Sequence, residues 1–148
     1  MAITYRPKVG EVLECKFGFF KELPDGSTDN RNFDGRIPPE MIKQRLVVVL
    51  NGKLGGNCLV VPISSSEDLG GVGQSLHVHL PPDLFKVTDF YDKRDRWAKA
   101  ELIQAVSSKR LFKLRDKEQR FDHHLPREQV EIIQKSVIKA ISATALIK

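Results

Sequence analysis

The strongest structural signal in this chain is a pair of apolar segments joined by a glycine-rich stretch. The first segment reads Arg45-Leu-Val-Val-Val-Leu50 and the second reads Cys58-Leu-Val-Val-Pro-Ile-Ser64. The seven residues between them, Asn-Gly-Lys-Leu-Gly-Gly-Asn, start with Asn-Gly and hold two more glycines, which accept the positive φ angles of a tight reversal. The sequence therefore predicts an antiparallel β-hairpin over residues 45–64.

Such a hairpin brings a cation and a hydroxyl together at its open end. If the reversal is centred near Leu54, Arg45 lies opposite Ile63 or Ser64. Directly paired residues have Cβ atoms roughly 5 Å apart, so the two side chains could bind one anionic group. The same pattern also fits a simpler alternative, in which Arg45 ends a strand in solvent and Ser64 opens a loop.

Length and composition predict one cytoplasmic domain over residues 1–148. Hydrophobic residues make up 41% of the 148 residues, enough for a single core. No run approaches the roughly 20 apolar residues of a membrane-spanning helix, and the N-terminus lacks a signal-peptide pattern. Cys15 and Cys58 are expected to be reduced core residues. The net charge of +5 favours an anionic partner such as nucleic acid or an acidic protein.

Two further strands are predicted from alternation. Residues 11–17 place Leu13, Cys15 and Phe17 on one face and expose Glu14 on the other. Residues 76–80 place His77 and His79 together on one exposed face. The spacing of the two histidines could begin a metal site, but no third ligand completes it. No metal or other cofactor is expected.

The C-terminal third is predicted to hold a strand and a helix. Residues 97–106 have strand character, and residues 116–124 read as a polar connection. Pro126 is a favourable first helical residue, and an apolar stripe follows at helical spacing: Val130, Ile133, Val137, Ile141 and Thr144 or Ala145. Short strands, long loops and one terminal helix predict a small β-barrel or strongly curved sheet with helical cover.

The long loop over residues 18–44 mixes cations with aromatic side chains. Phosphate-pairing and base-stacking groups thus occur together in Arg31, Arg36, Lys43 and Phe33. In the alternative interpretation, the phenylalanines of this loop anchor it to the core and the charges are solvated.

The order of these motifs resembles the PemK/MazF family of type II toxins. The resemblance covers most of the chain and rests on the following pieces: Val9-Gly-Glu-Val12, Arg45-Leu-Val-Val-Val-Leu50, Val60-Val-Pro-Ile-Ser64, His77-Val-His-Leu80 and Lys99-Ala-Glu-Leu-Ile-Gln-Ala-Val-Ser-Ser-Lys-Arg-Leu111. It implies a mainly β fold with helices, an SH3-like small β-barrel carrying a C-terminal α-helix. It also implies a homodimer that cleaves single-stranded RNA without a metal and is neutralised by a cognate antitoxin.

The resemblance also implies a catalytic site. The family's conserved arginine falls on Arg45 and its Thr/Ser position on Ser64, and both would act on the scissile phosphate. Lys99 and Glu101, two residues apart and expected on one strand face, occupy positions where some members carry an acid–base pair; a surface ion pair is the alternative. The products would be a 2′,3′-cyclic phosphate and a 5′-hydroxyl. The expected RNA-binding residues are Arg31, Arg36, Lys43, Phe33, Ser65 and Trp97.

The chain departs from the family pattern at some of these positions. Leu46 replaces the proline that usually follows the arginine, and Lys99 lacks the planar fork of an arginine. Two other functions therefore stay open: a noncatalytic barrel toxin that binds a topoisomerase, as CcdB-like toxins do, and a single-stranded nucleic-acid binder.

Overall fold

One large sheet is built around the predicted hairpin. A computed structural model describes residues 1–29, 31 and 35–147 of the chain. The seven strands of this sheet are β1 (Val12–Lys16), β2 (Gln44–Leu54), β3 (Asn57–Ser64), β4 (His77–Leu80), β5 (Arg96–Lys99), β6 (Gln104–Ser107) and β7 (Leu111–Phe112). Their order is β4-β5-β3-β2-β1-β7, and β6 pairs with the first half of β3. A separate hairpin consists of β8 (Leu114–Asp116) and β9 (Gln119–Phe121).

The β2–β3 hairpin is confirmed, with a tighter turn than the sequence suggested. The chain reverses at Gly55 and Gly56, whose φ angles of 62° and 88° suit glycine. Two irregularities in the pairing offset the displaced turn, and the regular register ends with Leu46 opposite Ile63. The next residues along the two strands, Arg45 and Ser64, therefore face each other as expected.

Apolar clusters cover both faces of the central strands. Members of the first cluster include Val48, Val61 and Ile63, and those of the second include Val47 and Val60. Because neighbouring residues on one strand enter different clusters, β2 and β3 are buried on both sides. This double burial explains their continuous valine-rich sequences and gives the site a rigid base.

A short helix, α1 (Leu69–Gly73), lies between β3 and β4, and a C-terminal helix, α2 (Arg127–Ala140), covers the first cluster. Val130 and Ile133 are buried. Pro126, predicted as the first helical residue, lies instead immediately before the helix, in the N-cap position. The predicted apolar stripe is wrong at its end, because the helix stops at Ala140 and Ile141 is 63% exposed.

The predicted strand over residues 97–106 is interrupted. Strand β5 ends at Lys99, a 3-10 turn spans Ala100–Leu102, and β6 starts at Gln104. Lys99 and Glu101 thus do not share a strand face, and that prediction is wrong. The break lets the chain leave β5 and pair with a different part of β3. The connection over residues 116–124 also differs, since it contributes to the β8–β9 hairpin.

Both cysteines lie in the core as free thiols. Cys15 and Cys58 are 0% and 1% exposed. Burial raises the pKa of the Cys15 thiol to about 12, so the thiol stays protonated at neutral pH. Their roles in the fold are apolar packing, as the sequence predicted.

The fold class is confirmed as mainly β with a C-terminal helix. Strands β4 and β7 end the pairing order, and no ladder between described residues joins them, so the sheet is not closed into a barrel. Within the described ranges, no helix is long and apolar enough to cross a membrane.

Candidate active site

A polar cavity of about 430 Å³ opens beside the free end of the β2–β3 hairpin. Its walls come from the ends of β2 and β3 and from the segment that leads into β5. The lining residues are Gln44, Arg45, Leu46, Ile63, Ser64, Ser65, Thr88, Asp89, Phe90, Tyr91, Asp92, Arg94 and Arg96. Residues distant in sequence are thus gathered around the Arg45–Ser64 pair.

One guanidinium nitrogen of Arg45 donates to a main-chain carbonyl, and the two terminal nitrogens make no hydrogen bond with any described residue. Its Nε donates to the Ile42 carbonyl at 3.2 Å. Among the described residues, no carboxylate lies within 4.0 Å of its guanidinium. A half-buried guanidinium without a counterion can bind a phosphate through two parallel hydrogen bonds.

Ser64 offers the hydroxyl expected beside that guanidinium. Its Oγ accepts a hydrogen bond from the Ser66 N–H at 3.0 Å, which fixes the oxygen. The hydroxyl proton is then available for an anionic oxygen, because a serine hydroxyl donates once in addition to accepting. Ser65, one of the expected RNA-binding residues, is exposed in the same cavity.

Trp97 lies in the strand beside Ser64. The register places Trp97 opposite Ser64 on one side and opposite His79 on the other. The Trp97 and His79 rings are 5.6 Å apart between centroids, with their planes tilted by 46°. This row extends the Arg45–Ser64 pair with a half-buried aromatic surface. Base stacking by Trp97 stays a prediction, with a role in the core as its alternative.

Two carboxylates line the cavity, those of Asp89 and Asp92, and they differ in their partners. Arg94 donates to both carboxylate oxygens of Asp92, and Arg96 lies 3.8 Å from the same group. The hydrogen bond from Arg94 lowers the pKa of Asp92. Asp89, in contrast, has neither a hydrogen bond nor an ion pair from its carboxylate to any described residue. Among the described residues, it is thus the cavity carboxylate without a cationic partner.

A buried carboxylate is hydrogen-bonded to two residues that line the cavity. Glu14 is 1% exposed and accepts hydrogen bonds from the Tyr91 hydroxyl and the Gln44 amide. Arg115 and Arg120 lie 3.5 and 3.3 Å from its oxygens. Burial and the bond to Glu14 raise the pKa of Tyr91, so its hydroxyl remains a donor. The predicted exposure of Glu14 is therefore wrong.

The structure does not bring Lys99 and Glu101 into this cavity. Glu101 Oε1 lies 2.5 Å from Nε2 of His77, whose side chain is only 4% exposed. The predicted exposure of both histidines is wrong for His77 and right for His79. No ion pair joins Lys99 to Glu101 in the part of the chain that the structure describes. Within the same ranges, no three His, Cys, Asp or Glu side chains form a cluster suited to a metal ion.

The loop residues expected to bind RNA are dispersed. Arg36 donates to the Phe17 carbonyl at 2.8 Å and lines a second cavity. Arg31 is 86% exposed in its side chain, and Lys43 is exposed two residues before Arg45. Phe33 lies outside the described residues.

A family model describes the chain over residues 31–141, which include the whole hairpin and its cavity. That model is the PemK-like, MazF-like toxin of type II toxin–antitoxin systems. The chain belongs to this toxin family. The resemblance seen in the sequence is thereby confirmed.

Two proteins are similar in sequence to this PemK/MazF-family toxin over nearly their whole lengths. An uncharacterized protein of Haemophilus influenzae is 49% identical over 97% of this chain and 95% of its own length. The putative uncharacterized protein YifN of Escherichia coli is 47% identical over 99% of both chains.

Solved structures show the same fold at low sequence identity. The crystal structure of MazF from Deinococcus radiodurans matches with a TM-score of 0.60, covering 93% of this toxin and 98% of that chain at 14% identity. Toxin MazF-mt6 of Mycobacterium tuberculosis matches with a TM-score of 0.50, covering 70% and 91% at 14% identity.

Sequence reasoning missed part of this toxin's cavity. Arg94, Arg96 and Asp89 belong to a segment that reads only as charged and aromatic, and Gln44 carries no catalytic signature. The one available signal was the position of Gln44 immediately before Arg45. Because neighbouring residues on a strand point to opposite faces, the position of Gln44 before Arg45 did not predict that both side chains line the cavity.

Proposed function

We propose that this toxin is an endoribonuclease that cleaves single-stranded RNA without a metal ion. The supporting observation is the pairing of Arg45, which has no counterion among described residues, with the Ser64 hydroxyl in one polar cavity. A guanidinium and a hydroxyl donor at adjacent positions suit a phosphodiester. The family membership and the net charge of +5 agree with an RNA substrate.

The proposed reaction transfers the scissile phosphate to the neighbouring 2′-hydroxyl. A bond forms between the 2′ oxygen and phosphorus, and the bond from phosphorus to the 5′ oxygen breaks. The 2′ proton passes to a base, and the 5′ oxygen takes a proton from water as it leaves. Arg45 and Ser64 would donate hydrogen bonds to the nonbridging oxygens, whose negative charge grows in the transition state. The products are a 2′,3′-cyclic phosphate and a 5′-hydroxyl.

The structure favours Asp89 over Glu101 as the group that accepts the 2′ proton. A general base must come within hydrogen-bond reach of the proton that it removes. Asp89 lines the Arg45–Ser64 cavity, whereas the Glu101 carboxylate is bonded to His77. Asp92 is a weaker candidate because Arg94 and Arg96 stabilise its charged form.

Incubation of the purified protein with a long single-stranded RNA in EDTA tests the proposed reaction. We expect discrete cuts whose downstream fragments carry 5′-hydroxyl ends, detectable by direct labelling with a polynucleotide kinase. Intact RNA, with folding verified by circular dichroism, would contradict the proposal. RNA binding without cleavage would then favour the nucleic-acid binder, and topoisomerase binding would favour the noncatalytic toxin.

Replacing each candidate base separately distinguishes the two carboxylates. We expect Asp89→Asn to lower the cleavage rate at saturating RNA by roughly 10²-fold, the usual contribution of a positioned base, with little change in RNA affinity. Glu101→Gln should retain most of the activity, because its carboxylate bonds His77 outside the cavity. Single-turnover rates and fluorescence anisotropy measure both quantities. The opposite ranking would assign the base to Glu101.

The proposed partners follow from family membership and charge. An acidic antitoxin would neutralise this basic toxin, and a homodimer is the expected assembly of the free toxin. Sedimentation of the toxin alone and with a candidate acidic antitoxin measures both associations.

A further inference from the structure

Phe90 presents an exposed aromatic ring on the wall of the cavity that holds Arg45 and Ser64. Leu46 and Ile63 line the same cavity but are 8% and 4% exposed, whereas Phe90 is 47% exposed. The other exposed lining residues that the structure describes are polar. A single exposed apolar side chain is common on protein surfaces. The contacts that hold this one in place distinguish it.

The guanidinium of Arg115 contacts one face of the Phe90 ring. Its Cζ lies 4.2 Å from the ring centroid, within the range of a cation–π interaction. Nε of Arg115 also lies 3.5 Å from the carboxylate of Glu14, which is 1% exposed, so the ring is linked to a buried residue of β1. Arg115 is not among the described residues that line the cavity. The opposite face of the ring is therefore the one turned toward the cavity.

A closed turn fixes the main chain that carries Phe90. Thr88 Oγ1 accepts hydrogen bonds from the N–H groups of Phe90 and Tyr91, at 3.1 and 3.0 Å. The Thr88 N–H donates to the Tyr91 carbonyl at 2.9 Å. With its main chain and one ring face both held, Phe90 loses little further freedom when a ligand contacts the other face.

A nucleotide unit of single-stranded RNA carries the two groups that this cavity can contact. Its phosphate suits the Arg45–Ser64 pair, and its flat base can stack on an aromatic ring. The cavity volume of about 430 Å³ lies within the usual range of ligand pockets. Phe90 directly follows Asp89, and both line the cavity. A nucleotide whose base contacts Phe90 therefore lies beside the carboxylate proposed to accept the 2′ proton.

We propose that Phe90 stacks on an unpaired base next to the scissile phosphate and is a specificity-determining residue of this toxin. This inference rests on the proposed function, because that function assigns RNA to the cavity. A base that is held in a duplex cannot reach the ring, so stacking selects single-stranded RNA. Because a purine offers a larger flat surface than a pyrimidine, the subsite favours a purine.

Removal of single bases from the RNA, combined with removal of the ring, tests this stacking directly. The substrate is a short single-stranded RNA whose nucleotide before the cut is 2′-deoxy, so that the attacking hydroxyl is missing. One abasic position is moved along this RNA, and fluorescence anisotropy measures the affinity. At one position, base loss should weaken binding by the parent at least about fivefold, the lower end of a base–aromatic stack. The same base loss should weaken binding by Phe90→Ala less than about twofold, because its ring is already gone.

Three further variants separate stacking from simple packing of the cavity wall. Phe90→Leu keeps an apolar side chain without a π face and should behave like Phe90→Ala. Phe90→Tyr keeps the ring and should stay as sensitive to base loss as the parent. Val87→Ala truncates a side chain of the same segment that is 57% exposed and is not among the lining residues, so it should also match the parent. Parent-like sensitivity in Phe90→Leu would overturn the proposal.

The outcomes also separate this inference from the proposed function. If the parent cuts RNA but base loss at every position affects the parent and Phe90→Ala equally, stacking on Phe90 is wrong and the proposed function stands. If RNA stays intact, the scan is run without the 2′-deoxy substitution. A loss of affinity that depends on Phe90 would then keep the stacking subsite and contradict the endoribonuclease. Failure of the parent to bind single-stranded RNA would overturn both.

Discussion

Arg45→Ala is expected to reduce the rate of RNA cleavage by roughly 10²–10³-fold, the effect of removing a principal donor to transition-state charge. The guanidinium is the cavity cation that has no carboxylate partner among the described residues and directly neighbours Ser64. Without the Arg45 guanidinium, the negative charge that develops on the phosphate is still hydrogen-bonded by the Ser64 hydroxyl but no longer lies beside a cation. Single-turnover cleavage of a defined single-stranded RNA measures the loss.

Two controls separate chemistry from folding and from general charge. Arg45→Lys keeps a positive charge but loses the planar fork, so its rate should fall between those of the parent and Arg45→Ala. Arg127→Ala removes an exposed arginine of α2, whose contact is an ion pair with Glu131, and should cleave normally. Activity of Arg45→Ala within about threefold of the parent would remove Arg45 from the site. Equal losses in Arg45→Ala and Arg127→Ala would indicate a nonspecific charge effect.

The Arg45–Ser64 pair could be predicted because its determinants are local. Two valine-rich runs and a glycine-rich turn define the hairpin, and the residues at its open end follow from counting. The turn lies at Gly55 and Gly56, beyond the expected centre, yet pairing irregularities near Asn51 compensate for the displacement. The prediction succeeded at the open end because the core clusters fix the register there.

The surroundings of the pair could not be predicted, because their contacts join remote parts of the chain. Glu14 meets Tyr91 across 77 positions and Arg120 across 106 positions. Alternation along β1 predicts that Glu14 is a surface residue. Nothing in the sequence near Glu14 indicates that the segment before β5 and the β8–β9 hairpin cover it. His77 was misjudged for the same reason: a short helix without an apolar pattern closes over its ring. Glu101 was misplaced because propensity did not reveal the 3-10 turn between β5 and β6.

The buried carboxylate of Glu14 links the core of the sheet to the wall of the Arg45 cavity. Among the substitutions proposed for this toxin, removal of this carboxylate should lower the free energy of unfolding most. It receives hydrogen bonds from Gln44, adjacent to Arg45, and from Tyr91 in the cavity wall. Removing one partner of a buried ion pair costs about 3–5 kcal/mol. The two arginines that Glu14 pairs with are 37% and 39% exposed and can be rehydrated. We therefore expect Glu14→Ala to lower the free energy of unfolding by about 3 kcal/mol, the lower end of that range.

Urea unfolding at pH 7 measures this change, with Glu131→Gln as the matched control. Glu131 forms an exposed ion pair with Arg127, so its loss should change stability by less than about 0.5 kcal/mol. Tyr91→Phe removes one donor to Glu14 and leaves the two arginines in place, so its cost should be near 1 kcal/mol. Its RNA cleavage should also fall, because the cavity wall loses its bond to the core. A Glu14→Ala effect no larger than that of Glu131→Gln would show that the network does not hold the wall in place.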